Sequence, residues 1–138
     1  MDYFCKNTAE EFLNTKERKE WKKTGFFLQL IHNKGFSFNR LEQHPERVTL
    51  IQGILMAVIG GYSIFVFFLQ KSQKLSCLGL SMILGGGASN LFDRIRRGYV
   101  VDYLGLPGIK KVVFNLSDLF IFLGSFLILV GSLQKKGS

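Results

Sequence analysis

A mainly α-helical membrane protein is the fold class this sequence predicts: three transmembrane helices with a small β-sheet lying on the membrane surface. Three observations lead there. Apolar residues are unevenly spread, so that residues 1–47 are polar and basic while 48–133 hold three apolar runs. Each run approaches the ~20 residues that cross a hydrocarbon core of ~30 Å. The runs also lack the one-sided apolar patterning by which a helix buries a single face in water. At 138 residues, 47% of them hydrophobic, with fourteen Phe and only two Pro, the chain makes one domain at most.

Residues 1–24 read as a polar, basic N-terminal arm, helical or disordered, ahead of a membrane domain over 25–138. Glu10, Glu11, Glu17 and Glu20 interleave with Lys16, Arg18, Lys19, Lys22 and Lys23, which suits a solvated helix face. Phe12 and Trp21 are placed to rest at a membrane surface. Phe27-Leu28-Gln29-Leu30-Ile31 reads as a strand entering a turn at Asn33-Lys34-Gly35, where glycine is free to take a positive φ. Phe36 and Phe38 then fall on one side of a second short strand.

The spans are expected at about 48–69, 75–92 and 112–133. In the first, Gly53, Ala57 and Gly61 recur every four residues and offer a small-residue face for close helix packing. Residues 70–74 form a tight basic turn. Toward the end of the second span Gly86, Ser89 or Asn90, and Asp93 share a face at helical spacing. Gly98, Gly105, Pro107 and Gly108 make the following loop turn-rich. In the third span Asn115, Asp118, Phe122, Ser125, Leu129 and Ser132 form one stripe, polar at its start.

The net charge of +8 fits basic residues flanking apolar spans among lipid headgroups. No basic run interleaves with aromatics in a nucleic-acid-binding pattern, so no nucleic-acid partner is expected. Cys5 and Cys77 show neither metal-type spacing nor a disulfide framework; no metal and no cofactor are expected. No apolar stretch in the first twenty-four residues makes a secretory signal. His32 reads as a surface or interfacial histidine.

The chemistry concentrates between Gly85 and Asp118, where Asn90, Asp93, Asp102, Asn115 and Asp118 lie. No charged residue follows Asp118 until Lys135. An acid at the mouth of such a run faces a protein interior or water and is functional by default. Asp102 and Asp118, one from the loop and one from the top of the third span, are placed to meet. Two carboxyl groups a few ångströms apart share one proton near neutral pH. Such a pair suits peptide hydrolysis: the ionised member takes a proton from attacking water, and the protonated one polarises the carbonyl and supplies the leaving amine. Asn90 and Asn115 are able to orient the pair or a substrate backbone. Taken singly, Asp102 is a solvated loop acid, Asp93-Arg94 a local ion pair, and Asn115 and Ser117 helix caps.

The ordered elements His32-Asn33-Lys34-Gly35, Gly86-Gly87-Ala88-Ser89-Asn90-Leu91-Phe92-Asp93-Arg94, Val100-Val101-Asp102-Tyr103 and Phe114-Asn115-Leu116-Ser117-Asp118 resemble those of the lipoprotein signal peptidase (signal peptidase II) family. The resemblance covers Gly25 to Leu133. It implies an aspartyl dyad of Asp102 and Asp118, with Asn33, Gly35, Asn90, Asp93, Arg94 and Asn115 shaping the site. It implies a prolipoprotein substrate whose lipobox cysteine carries diacylglycerol, cut just before that cysteine. It also implies a monomer among lipids of the bacterial inner membrane, multi-pass, with the sheet and the active site toward the outer face. Ser89 stands where relatives usually carry Gly.

The family has four spans, and the first has no counterpart here. Asp2-Tyr3-Phe4-Cys5-Lys6 resembles the D-x-x-x-K that ends that span. The positive-inside rule alone points the acidic loop to the cytoplasm: five basic residues in that loop and nine in residues 1–47 oppose two plus two on the other side. A missing N-terminal anchor reconciles the count with the resemblance. The same residues admit two other readings, a membrane paralogue that binds lipidated peptides without cutting them, and a proton or ion pathway.

Overall fold

The computed structural model describes residues 1–13, 18–20, 25–35, 42–69, 74–106 and 112–136. Within them the chain runs α1 (Asp2–Phe12), β1 (Arg18–Glu20), β2 (Phe27–Asn33), α2 (Pro45–Leu69), α3 (Lys74–Arg97), β3 (Val100–Gly105), β4 (Val113–Phe114) and α4 (Leu116–Lys136). Three of these, over Pro45–Phe68, Lys74–Arg97 and Leu116–Gln134, are long and apolar enough to cross a membrane. The mainly helical, membrane-spanning class with a small sheet is thus the one observed. The second strand expected at Phe36–Phe38, Trp21, and most of the basic turn after residue 69 lie outside the described residues.

Each span starts or stops where local chemistry dictates. Pro45 opens α2 from the first helical turn, where its missing N–H costs nothing, and the His44 carbonyl accepts from Arg47 and Val48 N–H at 3.1 and 3.3 Å. α3 runs on past Phe92, the expected limit, because Asp93, Arg94 and Arg97 find partners on neighbouring elements. It stops at Gly98, whose φ of 78° suits glycine alone. α4 starts at Leu116 and not Val112, because Val113 and Phe114 pair with β3 and Asn115 caps the helix.

α2 packs on α3 through Val48, Gln52, Met56, Ile59, Ser63 and Val66, the residues of its least exposed face. Ile54, Val58 and Phe68 point outward, 56%, 64% and 74% exposed, as they would toward lipid. The small-residue face expected at Gly53, Ala57 and Gly61 is not the packing face: a Cβ at Gly53 or Gly61 would have no neighbour within 4 Å. Close approach happens instead between α3 and α4. A Cβ on Gly79 would stand 2.5 Å from the Gly124 carbonyl oxygen, one on Gly124 2.5 Å from that of Gly79, and one on Gly86 2.5 Å from that of Ser117. The α4 stripe is likewise displaced. Ser117, Ile121, Gly124, Ile128 and Gly131 face α3, while Phe122 and Leu129 of the expected stripe are 73% and 57% exposed.

The sheet is antiparallel throughout, in the order β1-β2-β3-β4. Its register sets Ile31 opposite Asp102, His32 opposite Val101 and Phe27 opposite Gly105. Gly105 has no side chain because the Phe27 ring occupies that space, 2.1 Å from where a Cβ would be. The Arg18 guanidinium lies over the same ring, 3.7 Å from its centroid.

The expectation of a solvated N-terminal helix is corrected. α1 buries Lys6 and Ala9, and with Leu13 just beyond its end it packs on Leu30 and Val101 of the sheet. Glu10 spends its charge on distant partners, Arg97 and the Tyr99 hydroxyl. His32 joins them, stacked on Tyr99 with ring centroids 4.2 Å apart and its Nε2 3.3 Å from Glu10 Oε1.

Candidate active site

The ends of α3 and α4, strand β3, the β2 turn and helix α1 converge on one polar cluster. Asn115 sits at its centre and is fully buried. As the cap of α4 it exchanges bonds with Asp118: the Asp118 N–H donates to Asn115 Oδ1 (2.9 Å), and the Asn115 N–H donates to Asp118 Oδ2 (3.2 Å). This reciprocal cap satisfies two orphan helix donors. Its side-chain amide is left free to donate to Asp102 Oδ1 at 2.8 Å. Asn115 is therefore both the cap foreseen and the bridge between the two acids.

Asp102 comes from β3 and is 3% exposed. Its second oxygen accepts from Asn33 Nδ2 at 3.1 Å. Burial, and then the negative charge of Asp118, raise its pKa to about 7 against the pull of the Asn33 and Asn115 hydrogen bonds. Asp118 takes its remaining bond from Asn90 Nδ2, 2.8 Å from Oδ1. The two acids picked out in the sequence thus share one site.

The other residues singled out divide into those that touch the acids and those that hold the frame. Asn33 and Asn90 each donate to one acid. Gly35 serves through its backbone: its N–H donates to Asn33 Oδ1 (3.1 Å) and its carbonyl accepts from Arg94 Nη2 (2.7 Å). The positive φ expected of it is found instead, among the described residues, at Gly25 and Gly98. Arg94 reaches away from Asp93 and spans α2 and the β2 turn, with Nη1 2.8 Å from Gln52 Oε1. Asp93 is 1% exposed and pairs with Lys6 at 2.8 Å, so it is not a local partner of Arg94.

Three further participants were not foreseen in the sequence. Lys6 is fully buried, with Nζ 2.8 Å from Asp2 Oδ2, 2.8 Å from Asp93 Oδ2 and 2.9 Å from Asn90 Oδ1. Asp2 also accepts from Ser89 (2.7 Å) and Ser117 (2.6 Å) hydroxyls. Burial pushes the Asp2 carboxyl upward, but Lys6, Ser117 and Ser89 outweigh it and leave it below the ordinary value. Ser89 thus gains a partner in α1. Gln52 donates to the Gly87 carbonyl at 3.1 Å while accepting from Arg94, so its amide orientation is fixed. The spacing of Asp2 and Lys6 was the only sequence signal for the α1 contribution. For Gln52 the signal was a lone amide inside an apolar run. Among the described residues, no three His, Cys, Asp or Glu gather as a metal site would need.

Three membrane-length helices with a buried and a half-buried acid paired at their polar ends define a multi-pass membrane protein with a built carboxylate site. Comparison with known proteins gives the family. Residues 1–134 match the family model described as signal peptidase (SPase) II. The chain is 33% identical over 115 residues to a lipoprotein signal peptidase of Cupriavidus necator, covering 81% of this chain and 66% of that protein. Against one from Streptococcus pneumoniae it is 27% identical over 139 residues, covering 99% and 87%. A solved bacterial membrane enzyme superimposes with a TM-score of 0.84 at 19% identity, covering 98% of this chain and 82% of that one; a second gives 0.79 at 19%, covering 96% and 84%. The chain belongs to the signal peptidase II family. It spans about two thirds of the length of the Cupriavidus relative.

Proposed function

We infer that this protein is an intramembrane aspartyl endopeptidase that removes the signal peptide of prolipoproteins, cutting before a lipobox cysteine that carries diacylglycerol. The observation that carries the reading is the pairing of Asp102 and Asp118 through Asn115 in a buried site at the end of membrane-length helices. Family membership supports the substrate class.

With its carboxyl pushed up to about 7, Asp102 is the member that holds the shared proton near neutral pH. Asp118 accepts the proton of an attacking water. Asp102 hydrogen-bonds the scissile carbonyl, stabilises the tetrahedral oxyanion, and passes its proton toward the departing amine. The hydrogen bonds from Asn33, Asn90 and Asn115 aim the carboxyl oxygens, and Asp93, Arg94 and Gly35 keep the frame around them. A lipid-anchored cysteine lies at the depth of the headgroups, where these helix ends meet water. This accords with a site toward the outer face of the bacterial inner membrane.

The test is cleavage. Membranes containing this chain are incubated with a diacylglyceryl prolipoprotein, and the released signal peptide is identified by mass. Processing that is lost in D102N and in D118N supports the reading. Peptide binding without turnover by the unaltered chain would sink it and favour a non-cutting paralogue.

A further inference from the structure

Lys6 is the buried charge that the proposed chemistry leaves unused. An ammonium taken fully out of water is costly unless each of its three N–H donors is met. Asp2 and Asp93 each hold it as an ion pair at 2.8 Å, and Asn90 Oδ1 accepts a hydrogen bond from it at 2.9 Å. The third contact carries information. Asn90 Oδ1 also accepts from Asn115 Nδ2 at 3.2 Å, so both of its lone pairs are engaged and its NH2 faces Asp118 Oδ1. Lysine donates and never accepts. With Lys6 in place, turning the Asn90 amide over would set its NH2 against an ammonium and its carbonyl against a carboxyl oxygen.

We propose that Lys6 is a positioning residue that acts through Asn90, locking the amide so that an N–H donor stays on Asp118 throughout the reaction. The proposal rests on the aspartyl-peptidase reading. The charged groups facing Lys6 are Asp2 on its own helix and Asp93 on α3, both in contact. Asp102 on β3 and Asp118 on α4 also lie within reach of its charge. Without the ammonium, the Asn90 amide turns freely and presents its carbonyl to Asp118 part of the time. The pair then holds its second proton to higher pH.

Processing of a diacylglyceryl prolipoprotein is measured across pH for the unaltered chain, K6M, N90A and K6M/N90A. The expected K6M enzyme loses about tenfold in kcat with KM within twofold, as befits an effect on the reacting state alone. The acid limb of its profile moves to higher pH by roughly one unit, since a lost charge-assisted contact is of that size. In the N90A background K6M leaves kcat unchanged, and the acid limb moves only by the direct field of the lost ammonium. Because K6M takes the ammonium away from Asp2 and Asp93, D2N/K6M/D93N is made beside it. This variant folds by thermal unfolding in detergent and retains the K6M profile. An unchanged pH profile in K6M or in the neutralised triple, or K6M and N90A losses that multiply, overturns the proposal. Failure of the peptidase reading shows separately, as cleavage that survives D102N and D118N, and it would remove the Lys6 role with it.

Discussion

Asp102 and Asp118 are held by the same residue: Asn115 donates its side-chain amide to one at 2.8 Å and its backbone N–H to the other at 3.2 Å. Their separation is therefore set by one asparagine's geometry, at the point where α4 begins. Substitution of Asn115 is expected to split two effects. N115A removes the helix cap, costing about 1 kcal/mol, and also frees Asp102, lowering kcat by about 10²-fold or more. N115D keeps a capping oxygen, and with it most of the thermal stability, yet sets a third acid against the pair and abolishes processing. Thermal unfolding and cleavage measured on the same detergent preparations check both.

The raised pKa of Asp102 has a consequence for stability with a definite sign. Between its ordinary value of 3.8 and about 7, the folded protein holds a proton that the unfolded chain has released. Stability contributed by this group therefore falls as pH rises through that window, and is level above it. D102N keeps the neutral form at every pH. Its Tm is expected to exceed that of the unaltered protein at pH 8, with the gap closing as pH falls toward 4. A Tm difference independent of pH would place the strain elsewhere.

How much of this was legible in the sequence depends on where the signal lay. The paired acids stood out because charge beside apolar runs is costly, and ordered asparagines accompanied them. The packing faces did not, for a physical reason. A helix in lipid is apolar on all sides, so hydropathy does not separate the Val48–Val66 face of α2 from the Ile54–Phe68 face. Gly53 and Gly61 matched a packing pattern as well as Gly79 and Gly124 do, and only the neighbouring helix distinguishes them. β1 and β4, three and two residues long, are too short to show a period. Asp2 and Lys6 carried only the D-x-x-x-K spacing, and nothing local shows that α1 folds back onto α3.

The glycines themselves give a contrast that is simple to measure. G79A and G124A each drive a methyl group to 2.5 Å from a backbone carbonyl of the facing helix, and backbone cannot step aside as a side chain can. Each is expected to destabilise by about 1–3 kcal/mol, the usual cost of overpacking. G53A and G60A meet nothing within 4 Å and are expected to be neutral or slightly stabilising, since alanine is the better helix former. Tm in detergent, compared across the four, checks the prediction.

A relay of contacts runs from α2 to the acid on β3. Gln52 accepts from Arg94 Nη1, Arg94 Nη2 donates to the Gly35 carbonyl, the Gly35 N–H donates to Asn33 Oδ1, and Asn33 Nδ2 reaches Asp102. Arg94 makes this possible because a planar guanidinium projects donors in two fixed directions, which a lysine ammonium does not reproduce. R94K is expected to lower kcat/KM by roughly tenfold, about 1.4 kcal/mol, by loosening the turn that aims Asn33. If the effect travels by this route, R94K adds little once Asn33 is gone, and the R94K/N33A double variant is no worse than N33A. Residues coupled through one network depart from additivity by about 0.5–3 kcal/mol, well within the resolution of such kinetics. Losses that simply multiply would instead give Arg94 a contact of its own with the substrate.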